Sequence, residues 1–217
     1  MRADERRIGV AGPDEVAQVI AHLASGRSTV CDVPRARVRA PQALFISGTV
    51  GAGKTSTAGA VGDRLQERGV PGAVIDLDWL RCCWPSSPGD PFNNAVELTN
   101  LAAVARTYLR AGAERLVLAG VLEVPAARAA YEDAVGAPLQ VCRLHVDLAV
   151  VRRRLQRRHQ GEEGALQWHL DRSGELDAVL RAAHAEQFTV DATALTLRET
   201  AAAVVHGAGW DEDPPSP

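Results

Sequence analysis

Residues 47–57 read SGTVGAGKTST, and this stretch constrains the fold more than any other part of the chain. It follows a short apolar run, residues 43–47, and it precedes a segment with helical periodicity, residues 55–69. The stretch fits the pattern G-x-x-x-x-G-K-[ST] in full, and a strand before it and a helix after it are the context that this motif requires. We therefore predict that residues 48–55, called the phosphate loop below, bind phosphate oxygens through backbone N–H groups.

The lysine of this motif, Lys54, is the single lysine among the 24 lysine and arginine residues of the chain. Its ammonium is a compact charge on a flexible stem that reaches β- and γ-phosphates, where a planar guanidinium would fit poorly. Thr55 offers a hydroxyl to Mg²⁺. ATP and Mg²⁺ are the expected cofactors, and Lys54 is also expected to act in catalysis. The predicted nucleotide-binding residues are Gly48, Thr49, Val50, Gly51, Ala52, Gly53, Lys54, Thr55 and Ser56.

From residue 43 onward, short apolar runs alternate with segments of helical periodicity. The predicted strands are residues 43–47, 73–78, 115–121, 139–146 and 187–191. Such alternation indicates an α/β fold with a parallel sheet and helices on both of its faces. We expect the main domain to cover residues 41–209 and to include a helical lid at about residues 158–184. Residues 1–40 are predicted to form a helical extension, and residues 210–217 a disordered tail.

Composition disfavours several classes of protein. The net charge is −3 and the pI is near 6.1, which disfavours a surface for duplex nucleic acid. No apolar run approaches the roughly 20 residues of a membrane-spanning helix, and the N-terminus lacks the apolar segment of a secretory signal. The four cysteines show no C-x-x-C spacing. We therefore expect a cytoplasmic protein with no membrane partner.

Two aspartates, Asp76 and Asp78, lie at the end of the second predicted strand. In a strand they would point to the same face, at the carboxyl end of the sheet where ligands of open α/β folds bind. One carboxylate would hold Mg²⁺, directly or through water, and the other would orient and deprotonate a hydroxyl. We assign Asp76 to the metal and Asp78 to catalysis.

Two other classes of nucleotide-binding protein fit less well. An AAA module needs an aspartate at the end of its third strand, where this chain reads RLVLAGVLE. A GTPase needs N-K-x-D to read the base, and Lys54 is already part of the phosphate loop. Both interpretations are therefore weakened.

The segments FISGTVGAGKT, VIDLDWLR and NLAAVARTYLRAGAERLVLAGV together resemble the P-loop small-molecule kinases, particularly adenylylsulfate kinase. The resemblance covers roughly residues 43–205 and implies a strand order of 2-3-1-4-5. It matches Asp76 and Asp78 to two family aspartates, Arg81 to an arginine that contacts the acceptor, and Asn100 to a helix asparagine. The resemblance therefore implies that Asp78, Arg81 and Asn100 bind the acceptor. DLDWL also resembles a stretch of chloramphenicol phosphotransferase, in which the aspartate matched by Asp78 is the base.

The chain departs from adenylylsulfate kinase at two places. Leu77 and Trp79 replace a glycine and an asparagine, and the lysine- and glycine-rich lid of that family is missing. We therefore expect a different acceptor. Trp79, Trp84 and Phe92 follow the aspartates and form either an aromatic wall for a planar or apolar acceptor or the packing of their own loop.

The arginine-rich segment VRRRLQRRH places Arg154, Arg157 and Arg158 on one helical face. In small P-loop kinases this helix leads into the lid, whose arginines close over the transferred phosphoryl group. We select Arg154 and Arg158 as catalytic candidates and regard Gly161 and Gly164 as lid hinges. Glu123, at the end of the third predicted strand, is a candidate for binding the acceptor.

The sequence thus predicts an ATP- and Mg²⁺-dependent kinase that phosphorylates a hydroxyl of a small molecule such as a nucleoside, a sugar or an antibiotic. A polynucleotide 5′-kinase and a nucleotide-binding regulator stay open as alternatives. The acceptor is not identified. Two roles for residues 1–40 also stay open, namely covering the nucleotide site or joining two subunits as a homodimer.

Overall fold

The computed structural model describes residues 40–211, and the predicted helical extension and residues 212–217 lie outside this described part. Within residues 40–211 there are five strands and seven helices. The strands are β1 (Gln42–Ser47), β2 (Gly72–Asp76), β3 (Arg115–Gly120), β4 (Leu139–His145) and β5 (Phe188–Asp191). The helices are α1 (Lys54–Glu67), α2 (Leu77–Leu80), α3 (Asn94–Arg110), α4 (Ala127–Val135), α5 (Leu148–Arg158), α6 (Glu163–Ala183) and α7 (Leu197–Gly207).

The five strands form one sheet in the order β2-β3-β1-β4-β5, and every neighbouring pair is parallel. This confirms the predicted α/β fold and its strand order. The order reverses on either side of β1, so the loop after β1 leaves the sheet at a topological switch point. Ligands of open α/β sheets bind at such a point, outside the carboxyl ends of the strands.

Two apolar cores cover the two faces of the sheet, and β1 contributes alternate residues to them. Leu44 and Ile46 belong to one core, whereas Ala43 and Phe45 belong to the other. All four are 0% exposed. A strand buried on both faces is therefore apolar along most of its length, which is why the run ALFIS predicted β1 so well.

Helix α5 begins at an aspartate cap. The side chain of Asp147 caps it, with Oδ1 accepting a hydrogen bond from the Ala149 N–H at 2.7 Å. At the end of the chain, Thr196 and Glu199 form a capping box that starts α7. Among the described residues, no helix combines the length and the hydropathy that crossing a membrane requires.

The second strand is shorter than predicted. It ends at Asp76, and Asp78 lies in the first turn of α2. The reason is local, because Asp76 Oδ1 accepts a hydrogen bond from the Asp78 N–H at 3.0 Å and caps α2. The prediction that both aspartates project from one face of a strand was therefore wrong.

Trp210 is packed against the domain, so the predicted disordered tail does not begin at residue 210. Its side chain is 1% exposed, and its Nε1 donates a hydrogen bond to Gln42 Oε1 at 2.7 Å. The indole thus fixes the segment after α7 against the start of β1. Trp210 belongs to the packed domain, although the sequence places it in a disordered segment.

Candidate active site

The phosphate loop takes the shape that its glycines permit. Gly51 and Gly53 have φ angles of 79° and 99°, in the left-handed region that residues with a side chain rarely adopt. Gly53 is the N-cap of α1, so the amides that begin this helix point toward the loop. The Ala52 N–H is an exception, because it donates to the Thr49 carbonyl at 3.2 Å and closes the turn.

Lys54 occupies the first position of α1, and its Nζ donates a hydrogen bond to the Thr49 carbonyl at 3.2 Å. Burial lowers the pKa of its ammonium group, and the carboxylates of Asp78 and Asp76 act in the opposite direction. The ammonium therefore lies where phosphate oxygens could replace a weak backbone contact.

Thr55 and Asp76 join the phosphate loop to the end of β2. The Thr55 hydroxyl donates a hydrogen bond to Asp76 Oδ2 at 2.8 Å. A hydroxyl and a carboxylate at this separation are oxygen donors of the kind that Mg²⁺ prefers, and Mg²⁺ normally uses one or two protein ligands with water and phosphate. The two residues therefore fit a magnesium ion.

A buried ionic cluster lies behind Asp78. Arg81 forms an ion pair with Glu97, which is 0% exposed. Tyr131 donates a hydrogen bond to Glu97 Oε1 at 2.6 Å, and Arg81 Nε lies 3.9 Å from Asp78 Oδ1. Burial raises the pKa of Glu97, whereas the Tyr131 hydrogen bond and Arg81 oppose this rise. The cluster holds Arg81 in place beside Asp78.

Helix α5 brings an arginine to the phosphate loop. The Nη1 of Arg154 donates a hydrogen bond to the Ala52 carbonyl at 3.0 Å. Arg158, one helical turn later, lines the same cavity as Arg154. Val151 and Leu155 of the same helix are buried, so α5 presents these arginines from a packed helix.

Helix α6 has two halves that differ in burial. Residues 163–170 include no buried residue, whereas Ser173, Leu176, Asp177 and Leu180 are buried. The Thr49 hydroxyl donates to the Ser173 carbonyl at 2.6 Å, and Arg143 Nη2 lies 3.4 Å from Asp177 Oδ1. The second half of α6 is thus part of the core, which is at odds with a lid that extends to residue 184.

Glu123 lies beyond β3 and forms an ion pair with Arg172 of α6 at 2.5 Å. Arg172 also lies 3.1 Å from Glu175. The ion pair connects the loop after β3 to α6 across the mouth of the site. Glu123 therefore reaches the site as predicted, but with a cationic partner that the sequence did not reveal.

One cavity of about 1090 Å³ gathers most of the predicted residues. It is lined by Val50, Gly51, Gly53, Lys54, Thr55, Ser56, Asp76, Asp78, Arg81, Glu123, Arg154 and Arg158. Three residues of the predicted nucleotide site do not line it, namely Gly48, Thr49 and Ala52. Thr49 and Ala52 are 3% and 2% exposed, so they shape the loop from inside.

Asn100 also lies away from the cavity lining. Its Nδ2 donates a hydrogen bond to the Leu80 carbonyl at 2.8 Å. The side chain thus supports the end of α2 and is occupied there. Its role in binding the acceptor stays a prediction.

Four residues at the site were missed in the sequence, namely Glu97, Tyr131, Trp168 and Arg172. A signal for Glu97 exists, because it precedes the buried Leu101 and Ala105 at intervals of four on α3. A charged residue in the apolar register of a helix needs a buried partner. Tyr131 and Arg172 come from distant segments and carry no comparable signal.

Comparisons with known proteins agree with the fold. The Zeta toxin family model matches residues 28–113. The Deinococcus radiodurans tunicamycin resistance protein has 23% sequence identity and a TM-score of 0.54, and the match covers 82% of this chain and 100% of that one. A gluconokinase from Sinorhizobium meliloti 1021 has 20% identity and a TM-score of 0.50, and the match covers 79% and 93%. The chain has a P-loop kinase fold.

A third solved structure, that of APE1195, has 21% identity and a TM-score of 0.54, and the match covers 78% of this chain and 96% of that one. No curated protein sequence matches the chain. Within the P-loop kinase fold the phosphate loop follows β1, and Asp78 and Arg81 line the cavity beside it.

Proposed function

We propose that this protein is an ATP- and Mg²⁺-dependent kinase that transfers the γ-phosphoryl group to a hydroxyl of a small molecule. The observation that carries the proposal is the Thr55–Asp76 hydrogen bond of 2.8 Å in a cavity that also presents Lys54 and Asp78. A magnesium ligand pair, a phosphate-binding lysine and a second carboxylate are the parts that phosphoryl transfer to a hydroxyl requires.

The phosphate side of the cavity binds the nucleotide. The amides of the phosphate loop and the Lys54 ammonium contact β- and γ-phosphates. Thr55 and Asp76 would hold Mg²⁺, which neutralises phosphate charge when it is bound.

Asp78 acts on the acceptor. The acceptor hydroxyl forms a bond to the γ-phosphorus while the bond from that phosphorus to the bridging oxygen breaks, and ADP leaves with the electron pair. Asp78 orients the hydroxyl and accepts its proton. Its side chain is 73% exposed toward the cavity, and Arg81 Nε at 3.9 Å restricts its position.

Arg154 and Arg158 act on the transferred group. Charge on the equatorial oxygens of the moving phosphoryl group needs cationic groups that are already in place. Arg154 meets this condition because its guanidinium is bonded to the phosphate loop itself, at Ala52. Arg158 follows on the same helix, so it can approach from the lid side.

Release of ADP tests the proposal, with purified protein and Mg²⁺-ATP against a panel of nucleosides, sugars and hydroxylated antibiotics. We expect one acceptor class to raise ADP release many-fold, and mass spectrometry to find the phosphoryl group on that acceptor. Slow ADP release that no acceptor changes, with phosphate passed to water, would instead favour a regulatory nucleotide hydrolase.

A further inference from the structure

The acceptor side of the cavity carries three aromatic side chains that are largely open to solvent. Trp79, Phe92 and Trp168 are 78%, 56% and 58% exposed, and all three line the cavity. They come from three separate segments, namely α2, the loop before α3, and α6. Large apolar groups exposed together around one concave site are typical of a ligand-binding surface.

Packing within the loop does not explain these side chains. Leu77, one residue before Trp79, is 0% exposed and occupies the apolar space beneath α2. Trp84 gives a contrast, because it is 85% exposed and does not line the cavity. Of the three aromatic residues considered from the sequence, Trp79 and Phe92 line the cavity and Trp84 does not, whereas Trp168 of α6 lines it as well. Trp79, Phe92 and Trp168 are called the aromatic wall below.

The charges on the acceptor side are already balanced. Arg81 forms an ion pair with the buried Glu97 and lies 3.9 Å from Asp78. Arg172 contacts two carboxylates, those of Glu123 and Glu175, at 2.5 and 3.1 Å. An anionic acceptor would compete with these carboxylates for each arginine and would face Asp78 as well.

We infer that the acceptor is an uncharged or cationic hydroxyl compound that carries a planar ring. The ring packs on the wall formed by Trp79, Phe92 and Trp168, and the hydroxyl points toward Asp78. Sugar acids and phosphorylated sugars are excluded, because they lack a planar ring for this wall and bring negative charge to a side that has no surplus of cations. This inference rests on the proposed kinase activity and narrows its acceptor.

A set of glucosides tests ring and charge separately, because the sugar hydroxyls stay the same. Methyl β-glucoside has no planar ring, phenyl β-glucoside adds one, and 4-carboxyphenyl β-glucoside adds a negative charge to that ring. Adenosine and uridine extend the uncharged, ring-bearing group, and gluconate extends the ring-free, anionic group. ADP release with Mg²⁺-ATP gives kcat/KM for each compound, and calorimetry with a non-hydrolysable ATP analogue gives binding without turnover.

We expect ring-bearing, uncharged compounds to give the highest kcat/KM. We expect Trp79→Ala to lower that kcat/KM by roughly 3- to 10-fold, the loss that one aromatic contact produces, through KM more than through kcat. Trp79→Phe keeps an aromatic face and should recover most of the loss. Trp84→Ala is the matched control, since it removes an equally exposed indole outside the cavity, and it should stay within about twofold of wild type.

The outcomes separate this inference from the proposed function. Highest kcat/KM with methyl β-glucoside or gluconate overturns the inference and leaves the kinase proposal intact. Equal losses in Trp79→Ala and Trp84→Ala also overturn it. Ring-bearing compounds could instead bind without stimulating ADP release, and bind more weakly to Trp79→Ala. That result contradicts the kinase proposal and supports the ring site. If no compound binds and none stimulates ADP release, both the ring inference and the kinase proposal are contradicted.

Discussion

At the scale of single residues, the site depends on a carboxylate that has no access to water. Glu97 is 0% exposed, and its Oε1 accepts the Tyr131 hydroxyl at 2.6 Å. Tyr131→Phe removes that donor and leaves a buried oxygen unsatisfied. We expect the free energy of unfolding to fall by about 1–3 kcal/mol, measured by urea denaturation.

The other tyrosine of the chain supplies the control. Tyr108 lies on α3 and is 39% exposed, so Tyr108→Phe should change the free energy of unfolding by less than about 0.5 kcal/mol. A loss of the same size in both variants would show that the hydroxyl of Tyr131 has no special role.

At the scale of elements, α5 places one arginine against the phosphate loop and another away from it. Arg154 donates to the Ala52 carbonyl and lines the cavity, whereas Arg157 does not line it. We expect Arg154→Ala to lower kcat about 10³-fold while ATP still binds, because an arginine that stabilises the transferred phosphoryl group contributes that much.

Arg157→Ala is the matched control for Arg154→Ala, since it removes the same side chain from the same helix. Steady-state ADP release should leave its kcat within about twofold of wild type. If the two variants lose activity equally, the effect belongs to the helix charge and not to a contact with the phosphoryl group.

Helix α6 gives a second prediction at this scale. Because burial begins at Ser173, we propose that the lid is limited to residues 159–170. Amide hydrogen exchange should be faster in residues 163–170 than in residues 174–183, and Mg²⁺-ATP should slow it in the first half. Equal protection along the whole helix would contradict a lid of this size.

The sequence predicts β1 correctly but does not predict α2. The run ALFIS is apolar because β1 is buried on both faces, so its pattern reports its position directly. VIDLD also reads as a strand, but the Asp76 carboxylate caps a helix that starts at Leu77. Two competing local structures have similar patterns there, and only the hydrogen bond to the Asp78 N–H decides between them.

In the site, too, local patterns can be predicted from the sequence, whereas contacts between distant segments cannot. The phosphate loop and both aspartates are local patterns, and five residues of the loop line one cavity together with Asp76 and Asp78. The Tyr131–Glu97 contact joins residues 34 positions apart, and the Arg172–Glu123 contact joins residues 49 apart. Such pairs depend on how α3, α4 and α6 pack, which periodicity alone does not specify.

At the scale of the whole molecule, the strand order determines where chemistry takes place. The switch point after β1 puts the phosphate loop between the ends of β3 and β4. The edge strand β2 ends at Asp76, and the first turn of α2 carries Asp78. Ser47 Oγ accepts the Leu122 N–H at 3.1 Å, which ties the end of β1 to the loop after β3. Nucleotide and acceptor would therefore meet at one rigid edge.

The measurement that tests this account most directly is ADP release by Asp78→Asn beside the wild type, with the best acceptor and Mg²⁺-ATP. Asparagine keeps the size of the side chain and removes its ability to take the proton. We expect acceptor-stimulated ADP release to fall by about 10²–10⁴-fold, the contribution of a positioned general base, with ATP affinity unchanged. Stimulated release at the wild-type rate in Asp78→Asn would contradict the central claim that Asp78 acts on the acceptor hydroxyl.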